Sequence, residues 1–362
     1  MKTPGAKDVV LLCNPQAGGR WRGLAEVLDS EEAQHVRRIV TDEIDDVREA
    51  IAGVGKRVKL LLIYGGDGTI FHVLAELLKR PDDVPPQIAL LGGGTMNVTA
   101  GACGMSRSPG ENFRHVMRAY LADRLLWKEV PLVAVGQGRD TNYGFTFGVG
   151  PLVRILERFE SGSKSHLSAV GVAMQSAAGA ISSYPRAFAP VVQELRARVI
   201  VDDQELPFDR FAALFCNVTG VINPFVKPFV SERGRDRFHF LAYAVSPREF
   251  AIMAPLLARG RLPMDPASLL RPVSTWRQAL LSLVGEGNFP FDPRYVNHPA
   301  RHVVIHTEEK QYTLDGELLP IEGGRVEVRL GPTIRLALLG GRRDRVRASK
   351  VPGSPDVAAA RT

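Results

Sequence analysis

Three glycine-bearing turns stand out as places where this chain could do chemistry. They are Asn14-Pro15-Gln16-Ala17-Gly18-Gly19, Gly65-Gly66-Asp67-Gly68-Thr69 and Gly92-Gly93-Gly94-Thr95-Met96-Asn97, and each follows a short apolar run. Glycines let several backbone N–H groups converge on an anion, and the dipole of a following helix adds positive potential. Thr69, Thr95 and Asn97 can add side-chain hydrogen bonds. A carboxylate inside such a loop repels phosphate, so Asp67 needs a purpose: holding a bridging Mg²⁺, accepting a proton from a nucleophile, or capping the next helix. Neither the Gly-x₄-Gly-Lys-Ser/Thr loop nor the dinucleotide spacing Gly-x-Gly-x-x-Gly is present. Far downstream, Asp315-Gly316-Glu317 ends a strand that begins at Gln311. By itself it reads as a hairpin turn; with the Asp67 loop it makes an acidic set.

The elements that must position these residues fall into two textures. In the first third, strands at Asp8–Cys13, Arg37–Val40, Val58–Tyr64 and Ile88–Leu91 alternate with helical patterns. Leu24, Val27 and Leu28 share one helical face. Thr41 is placed as an N-cap, with Ile44, Val47 and Ile51 on one side of its helix, stopped by Gly53 and Gly55. Gly65–Thr69 reads as a turn and Ile70 onward as a helix reaching Pro81. Ser108 and Pro109 open a helix carrying Phe113, Val116, Met117, Tyr120 and Leu121. Repeated βα units predict a Rossmann-like, doubly wound, mostly parallel sheet, with ligands at the carboxyl ends of its strands.

From about Lys128, short strands dominate: Glu129–Val135, Asn142–Phe147, Ala197–Asp202, Phe211–Val218, Phe238–Ala244, Arg301–Thr307, Gln311–Leu314 and Arg325–Leu330. They predict an antiparallel β-sandwich, with helical insertions near Leu152–Gln175 and Pro247–Leu257. The expected division is a nucleotide-binding α/β domain over 5–127, a β-sandwich substrate domain over 128–342, and a disordered basic tail from 343.

At 362 residues, 45% apolar and 23% charged, the chain is globular in composition, which excludes widespread disorder. Three scattered cysteines exclude a disulfide framework and a thiolate metal site, and fit a reducing cytoplasm. Cys13 and Cys216 fit buried strand positions. No run approaches the roughly eighteen apolar residues of a membrane span, and Ser168–Ser183 reads as an internal helix. The net charge of +7 is compatible with anionic partners, but basic and aromatic residues are not interleaved as in a nucleic-acid binder. His298, His302 and His306 are evenly spaced, yet Pro299 and the strand pattern argue against a zinc site.

The loops, in this order and separation, resemble the catalytic core of diacylglycerol, sphingosine and ceramide kinases and the bacterial lipid kinases related to them. Asn14-Pro15-x-x-Gly18 is similar to that family's first nucleotide loop, with Ala17 where serine is usual. Gly65-Gly66-Asp67-Gly68-Thr69 is similar to its signature, Gly94-Thr95-Met96-Asn97 to its third loop, and Asp315-Gly316-Glu317 to its late acidic motif. The resemblance implies ATP and Mg²⁺ gripped in a cleft between the two domains, and transfer of the γ-phosphate to a lipid hydroxyl. It implies that Asn14, Pro15, Gly18, Thr41, Gly65, Gly66, Gly68, Thr69, Gly94, Thr95 and Asn97 hold nucleotide. Asp67, Asp315 and Glu317 are then the catalytic acids: Asp315 first, and Asp67 second, as the base that takes the lipid hydroxyl proton, with Asp67 and Glu317 on the metal. The implied protein is cytoplasmic, meets its lipid at the membrane surface, binds no nucleic acid and leaves a homodimer open.

Departures from the pattern are Val98 where the family has aspartate, Gly92-Gly93 where it has Pro-Leu, and Ser231–Asp236, which lacks the Asp-Asp-Gly of an accessory metal. An NAD kinase, which shares the Gly-Gly-Asp-Gly-Thr loop, and a non-catalytic nucleotide- or lipid-binding relative are the alternatives. The segment beginning Phe147, Val149, Leu152, Val153, Ile155, Leu156 and Phe159 could line an acyl-chain cleft or pack as core.

Overall fold

In the computed structural model the polypeptide forms two compact units, Met1–Val130 with Ile334 onward, and Pro131–Thr333. The structure describes residues 8–16, 24–25, 27–54, 57–79, 85–93, 100–101, 103–105, 108–136, 141–151, 153–154, 157, 193–221, 226–263 and 291–339.

The first unit is a parallel α/β sheet. Its strands are β1 (Val9–Cys13), β2 (Arg37–Val40), β3 (Leu60–Tyr64) and β4 (Gln87–Leu90), with helices α1 (Ile44–Ala52), α2 (Asp67–Leu78) and α3 (Pro109–Leu121). The central strands β1 and β3 are buried at every residue. Such unbroken apolar runs, Val-Val-Leu-Leu-Cys and Leu-Leu-Leu-Ile-Tyr, need cover on both faces. Strand β4 pairs β3, β3 pairs β1 and β1 pairs β2, all parallel, with Leu12 opposite Ile63 and Ile39. A late strand, β17 (Arg325–Leu338), adds its Leu336 opposite Ile88, also parallel. The sheet order is therefore β17-β4-β3-β1-β2.

Local sequence sets the helix starts. Ser108 accepts from the Glu111 N–H while Glu111 reaches back to Ser108, a capping box with Pro109 at the first helical position. For α1 the N-cap is Glu43, not Thr41, with Asp46 taking the Asp42 and Glu43 N–H groups. Thr41 is displaced from that role because its N–H and hydroxyl both bond the Cys13 carbonyl, at 2.9 and 3.3 Å. Helix α2 also begins earlier than its apolar pattern suggests. Gly66 is the N-cap, and Asp67, Gly68 and Thr69 form the first turn instead of a loop.

The second unit is antiparallel. After β5 (Leu126–Val135) come β6 (Asn142–Gly144), β7 (Thr146–Val149), β8 (Leu195–Val201), β9 (Gln204–Glu205), β10 (Arg210–Phe211), β11 (Ala213–Asn217), β12 (Phe238–Tyr243), α4 (Pro247–Leu257), β13 (Tyr295–Ala300), β14 (His302–Thr307), β15 (Gln311–Leu314) and β16 (Glu317–Pro320). One sheet runs β13-β12-β11-β7-β15-β16; in the other, β10-β8-β14 continues to the first half of β17. Alternating burial along β8, with Leu195, Ala197, Val199 and Val201 inward, marks a strand with one solvated face. This is the sandwich that the strand pattern predicts. The expected Asn142–Phe147 strand is two strands, broken at Phe145, for a reason that lies in the candidate site. Leu152–Gln175, Ser168–Ser183 and the tail from 343 fall almost wholly outside the described residues, apart from Val153, which is buried, half-buried Arg154 and exposed Glu157.

Candidate active site

Strands β1, β3 and β4 end side by side, and the turns that follow them are bonded together. The Asn14 N–H donates to the Tyr64 carbonyl at 2.8 Å, and the Gly93 N–H donates to the Gly65 carbonyl at 2.9 Å. The Asn14 amide donates to the Thr69 hydroxyl at 3.2 Å and its oxygen accepts the Gln16 N–H at 3.0 Å. A Cβ on Gly65 would stand 2.5 Å from Thr69 Cβ, so only glycine lets the turn close over the start of α2. Asp67 lies in the first turn of that helix, where the macrodipole favours a carboxylate.

Of the residues expected to hold nucleotide, Asn14, Pro15, Gly65, Gly66, Gly68 and Thr69 lie along this edge of the sheet. Thr69 is buried, with its hydroxyl engaged by Asn14. Thr41 is only 1% exposed and pins the β2 end to β1 through Cys13. Gly18, Gly94, Thr95, Asn97 and Val98 lie outside the described residues. A residue with no motif to announce it, Asn112, is wholly buried on α3 and donates to the Leu91 carbonyl at 3.0 Å, fixing the entry to the third turn. An asparagine among the apolar positions of an amphipathic helix is the signal that could have found it.

The late acidic motif is a two-residue hairpin turn, with Asp315 at φ 55° and Gly316 at φ 98°, and Leu314 paired to Glu317. Positive φ at both central residues matches the twist of the flanking strands. The Asp315 carboxylate reaches back to β7. Its Oδ1 accepts the Thr146 N–H at 2.8 Å and the Phe145 N–H at 3.0 Å, and Oδ2 lies 2.9 Å from the same Phe145 nitrogen. These bonds take up the amides freed where β6 and β7 part. Gly144 leaves the room: a Cβ there would meet Asp315 Oδ2 at 2.6 Å. Thr146 is in turn held by the Asn217 amide at 2.7 Å. The same device recurs at Asp202 (φ 47°), whose Oδ1 accepts the Arg301 and His302 N–H groups at 2.8 and 2.9 Å. Glu317, half-buried at the start of β16, makes no side-chain hydrogen bond or ion pair among the described residues.

Burial pushes the Cys13 thiol up to about 12 and the Cys103 thiol to about 11, and raises Cys216 well above its usual range. All three are neutral buried thiols, unsuited to nucleophilic work. The three histidines lie on β13 and β14, and His302 Nε2 meets Glu327 Oε1 at 3.1 Å. Among the described residues no three His, Cys, Asp or Glu side chains group around a metal position. In Ser231–Asp236 the Arg233 guanidinium donates to the Val218, Gly234 and Arg237 carbonyls at 3.0, 2.8 and 3.0 Å. No helix among the described residues is long and apolar enough to cross a membrane.

A parallel α/β unit with glycine turns at its carboxyl edge, followed by an antiparallel sandwich, defines the class of fold. Residues 8–123 match the family model described as the diacylglycerol kinase catalytic domain. No curated protein sequence matches the chain. A crystal structure of a diacylglycerol kinase from Bacillus anthracis str. Sterne aligns over 92% of this chain and 97% of its own, with TM-score 0.54 and 16% identity. A second structure from that organism, described as a candidate diacylglycerol kinase, aligns over the same shares with TM-score 0.58 and 16% identity. At such identity the likeness is one of fold.

Proposed function

We propose that this protein is an ATP-dependent lipid kinase. The observation that carries the reading is the bonded set of turns at the carboxyl edge of β1, β3 and β4, with Asp67 in the first turn of α2. In this reading the Asn14 turn, Gly65–Thr69 and the 94–97 turn hold ATP. A lipid hydroxyl attacks the γ-phosphorus: the lipid O–P bond forms, the bond to the β,γ-bridging oxygen breaks, and ADP leaves. The hydroxyl proton passes to a carboxylate of the protein.

Asp315 and Asp67 are the two candidate bases, and the hydrogen bonds that Asp315 makes to the backbone count against it. Protonating Asp315 would weaken the charge-assisted bonds that hold Phe145 and Thr146. Asp315 thereby serves as a positioning residue, fixing the hairpin from which Glu317 projects. Mg²⁺, when bound, would neutralise phosphate charge. Half-buried Glu317, with no competing side-chain partner among the described residues, suits a metal that takes one or two protein carboxylates and fills its other positions with phosphate and water. The acceptor class is a lipid alcohol such as diacylglycerol, a sphingoid base or ceramide.

The test is turnover of labelled ATP with mixed lipid micelles, and with NAD as a competing acceptor. Asp67→Asn should lower kcat by roughly 10²–10⁴ with an unaltered Mg²⁺ requirement. Glu317→Gln should raise the Mg²⁺ concentration that gives half the maximal rate. The opposite pattern would exchange the two roles. Label found in NAD and not in lipid would refute the acceptor, and undiminished turnover in both variants would refute the site.

A further inference from the structure

Helix α4 presents an unusual outer stripe. Ser246 accepts the Glu249 N–H and Pro247 takes the first helical position, which sets the start of the helix. Phe250, Met253 and Leu257 face inward onto Ala213, Leu241, Tyr243 and Tyr295. The one acid of the helix, Glu249, is bonded to Arg294 at 2.8 Å and to the Tyr295 hydroxyl at 3.0 Å. The remaining face, at helical intervals of four and three, is Arg248, Ile252, Pro255 and Arg259, all exposed.

Two neighbouring segments extend this surface. The Lys227 N–H donates to the Ala258 carbonyl, and the Asp292 N–H donates to the Pro263 carbonyl, so Val230 and Phe291 lie on segments pinned near the end of α4. Ile252, Phe291 and Val230 are 53, 52 and 39% exposed, three of the five exposed large apolar side chains among the described residues. Lys227, Arg248, Arg259 and Arg261 are exposed around them, and none forms an ion pair among the described residues. Elsewhere in this unit Arg154, Arg198, Arg237, Arg294, Arg301, Arg325 and Arg329 are each matched by a carboxylate, while Arg196, Arg235 and Lys310 are exposed cations without one among the described residues and have no exposed large apolar side chain beside them in sequence. Unmatched cations beside exposed apolar side chains fit a surface that is anionic outside and apolar just beneath.

We propose that the Arg248–Ile252–Pro255–Arg259 face of α4, with Lys227 and Arg261, docks on an anionic lipid bilayer. The arginines and Lys227 meet headgroup phosphates, while Ile252 enters the boundary beneath them. The inference concerns a membrane partner and not the reaction, so it can fail independently of the kinase reading.

The experiment is co-sedimentation of the full chain with vesicles of phosphatidylcholine alone and of phosphatidylcholine mixed with phosphatidylglycerol. Binding should be confined to the mixed vesicles and weaken with salt. Arg248→Ala with Arg259→Ala should weaken it roughly thirtyfold, from about fivefold per cation, and Ile252→Glu should abolish it. Unchanged circular dichroism would show that both variants fold, as exposed positions allow. Equal binding by parent and variants, or no binding at all, overturns the proposal. A dimer of the parent that Ile252→Glu dissociates, measured by sedimentation without lipid, assigns the face to a second copy and overturns it equally. Lipid phosphorylation without vesicle binding would sink this proposal and leave the reaction standing; vesicle binding without phosphorylation would do the reverse.

Discussion

Replacing Asp315 separates a catalytic carboxylate from one that holds the backbone. Asp315→Ala removes the carboxylate that accepts from two part-buried amides, Phe145 and Thr146. Hydrogen bonds to a charged group contribute about 1.5–3 kcal/mol each, and partial exposure brings the pair to roughly 2–4 kcal/mol. Alanine at φ 55° adds about 1 kcal/mol of backbone strain, for a total near 3–5 kcal/mol. Asp315→Asn keeps an oxygen at the Oδ1 position, which serves both amides, and asparagine tolerates this φ. Its loss should be about 1–2 kcal/mol. Urea unfolding followed by far-ultraviolet circular dichroism measures both, and Asp202→Ala is the comparator, since it removes the same clamp from another hairpin. Asp315→Ala unfolding at the parent's urea midpoint would refute the clamp. Asp315→Asn that folds normally but loses all turnover would return the general-base role to Asp315.

Other outcomes follow from the same geometry. Gly65→Ala forces a methyl against Thr69 and should weaken ATP binding at least about tenfold, read by calorimetry; unchanged affinity would contradict the turn closure. Arg233→Ala strands three carbonyls and should destabilise by roughly 2–4 kcal/mol, with Arg233→Lys recovering only part because an ammonium lacks the guanidinium fork. His239, 8% exposed and stacked on Phe229 at 4.6 Å, is held down to about 4 by burial and then by Arg233. Below about pH 6.5 the unfolded chain binds a proton that the folded chain refuses, so stability falls as pH drops towards 4, by about 2–3 kcal/mol in all. His239→Gln should flatten that window; an unchanged pH profile would show that another group governs it.

Much of the fold was legible because strongly apolar runs leave few options. Arg37–Val40, Gln311–Leu314, the helix from Pro109 and Pro247–Leu257 sit where the pattern places them, and Cys13 and Cys216 are buried strand residues as their runs imply. Boundaries failed where side chains compete for backbone groups. Thr41 looks like a cap, but its hydroxyl is spent on Cys13. Asp67 to Thr69 look like a turn, yet Gly66 already ends the loop. Strands Tyr295–Ala300 and Glu317–Pro320 were missed: Asn297, His298 and Pro299 dilute the first, and the second is only half-buried. The return of β17 to the first unit after Ile334 leaves no local mark, because parallel pairing with β4 is a long-range choice. Motif spacing flagged Asp315, but only its contacts with Phe145 and Thr146 reveal what the carboxylate is doing. Asn112 and Asn217 work through hydrogen bonds to backbone or hydroxyl groups distant in sequence, Leu91 and Thr146, which spacing cannot disclose.

The central claim is tested most directly by mass spectrometry of a total lipid extract after exposure to the protein, Mg²⁺ and ATP labelled with ¹⁸O in the γ-phosphate. A lipid alcohol class that gains a labelled phosphate, and gains none with Asp67→Asn, is the predicted result. ATP bound by the parent protein with no labelled phosphate on any lipid would contradict the account.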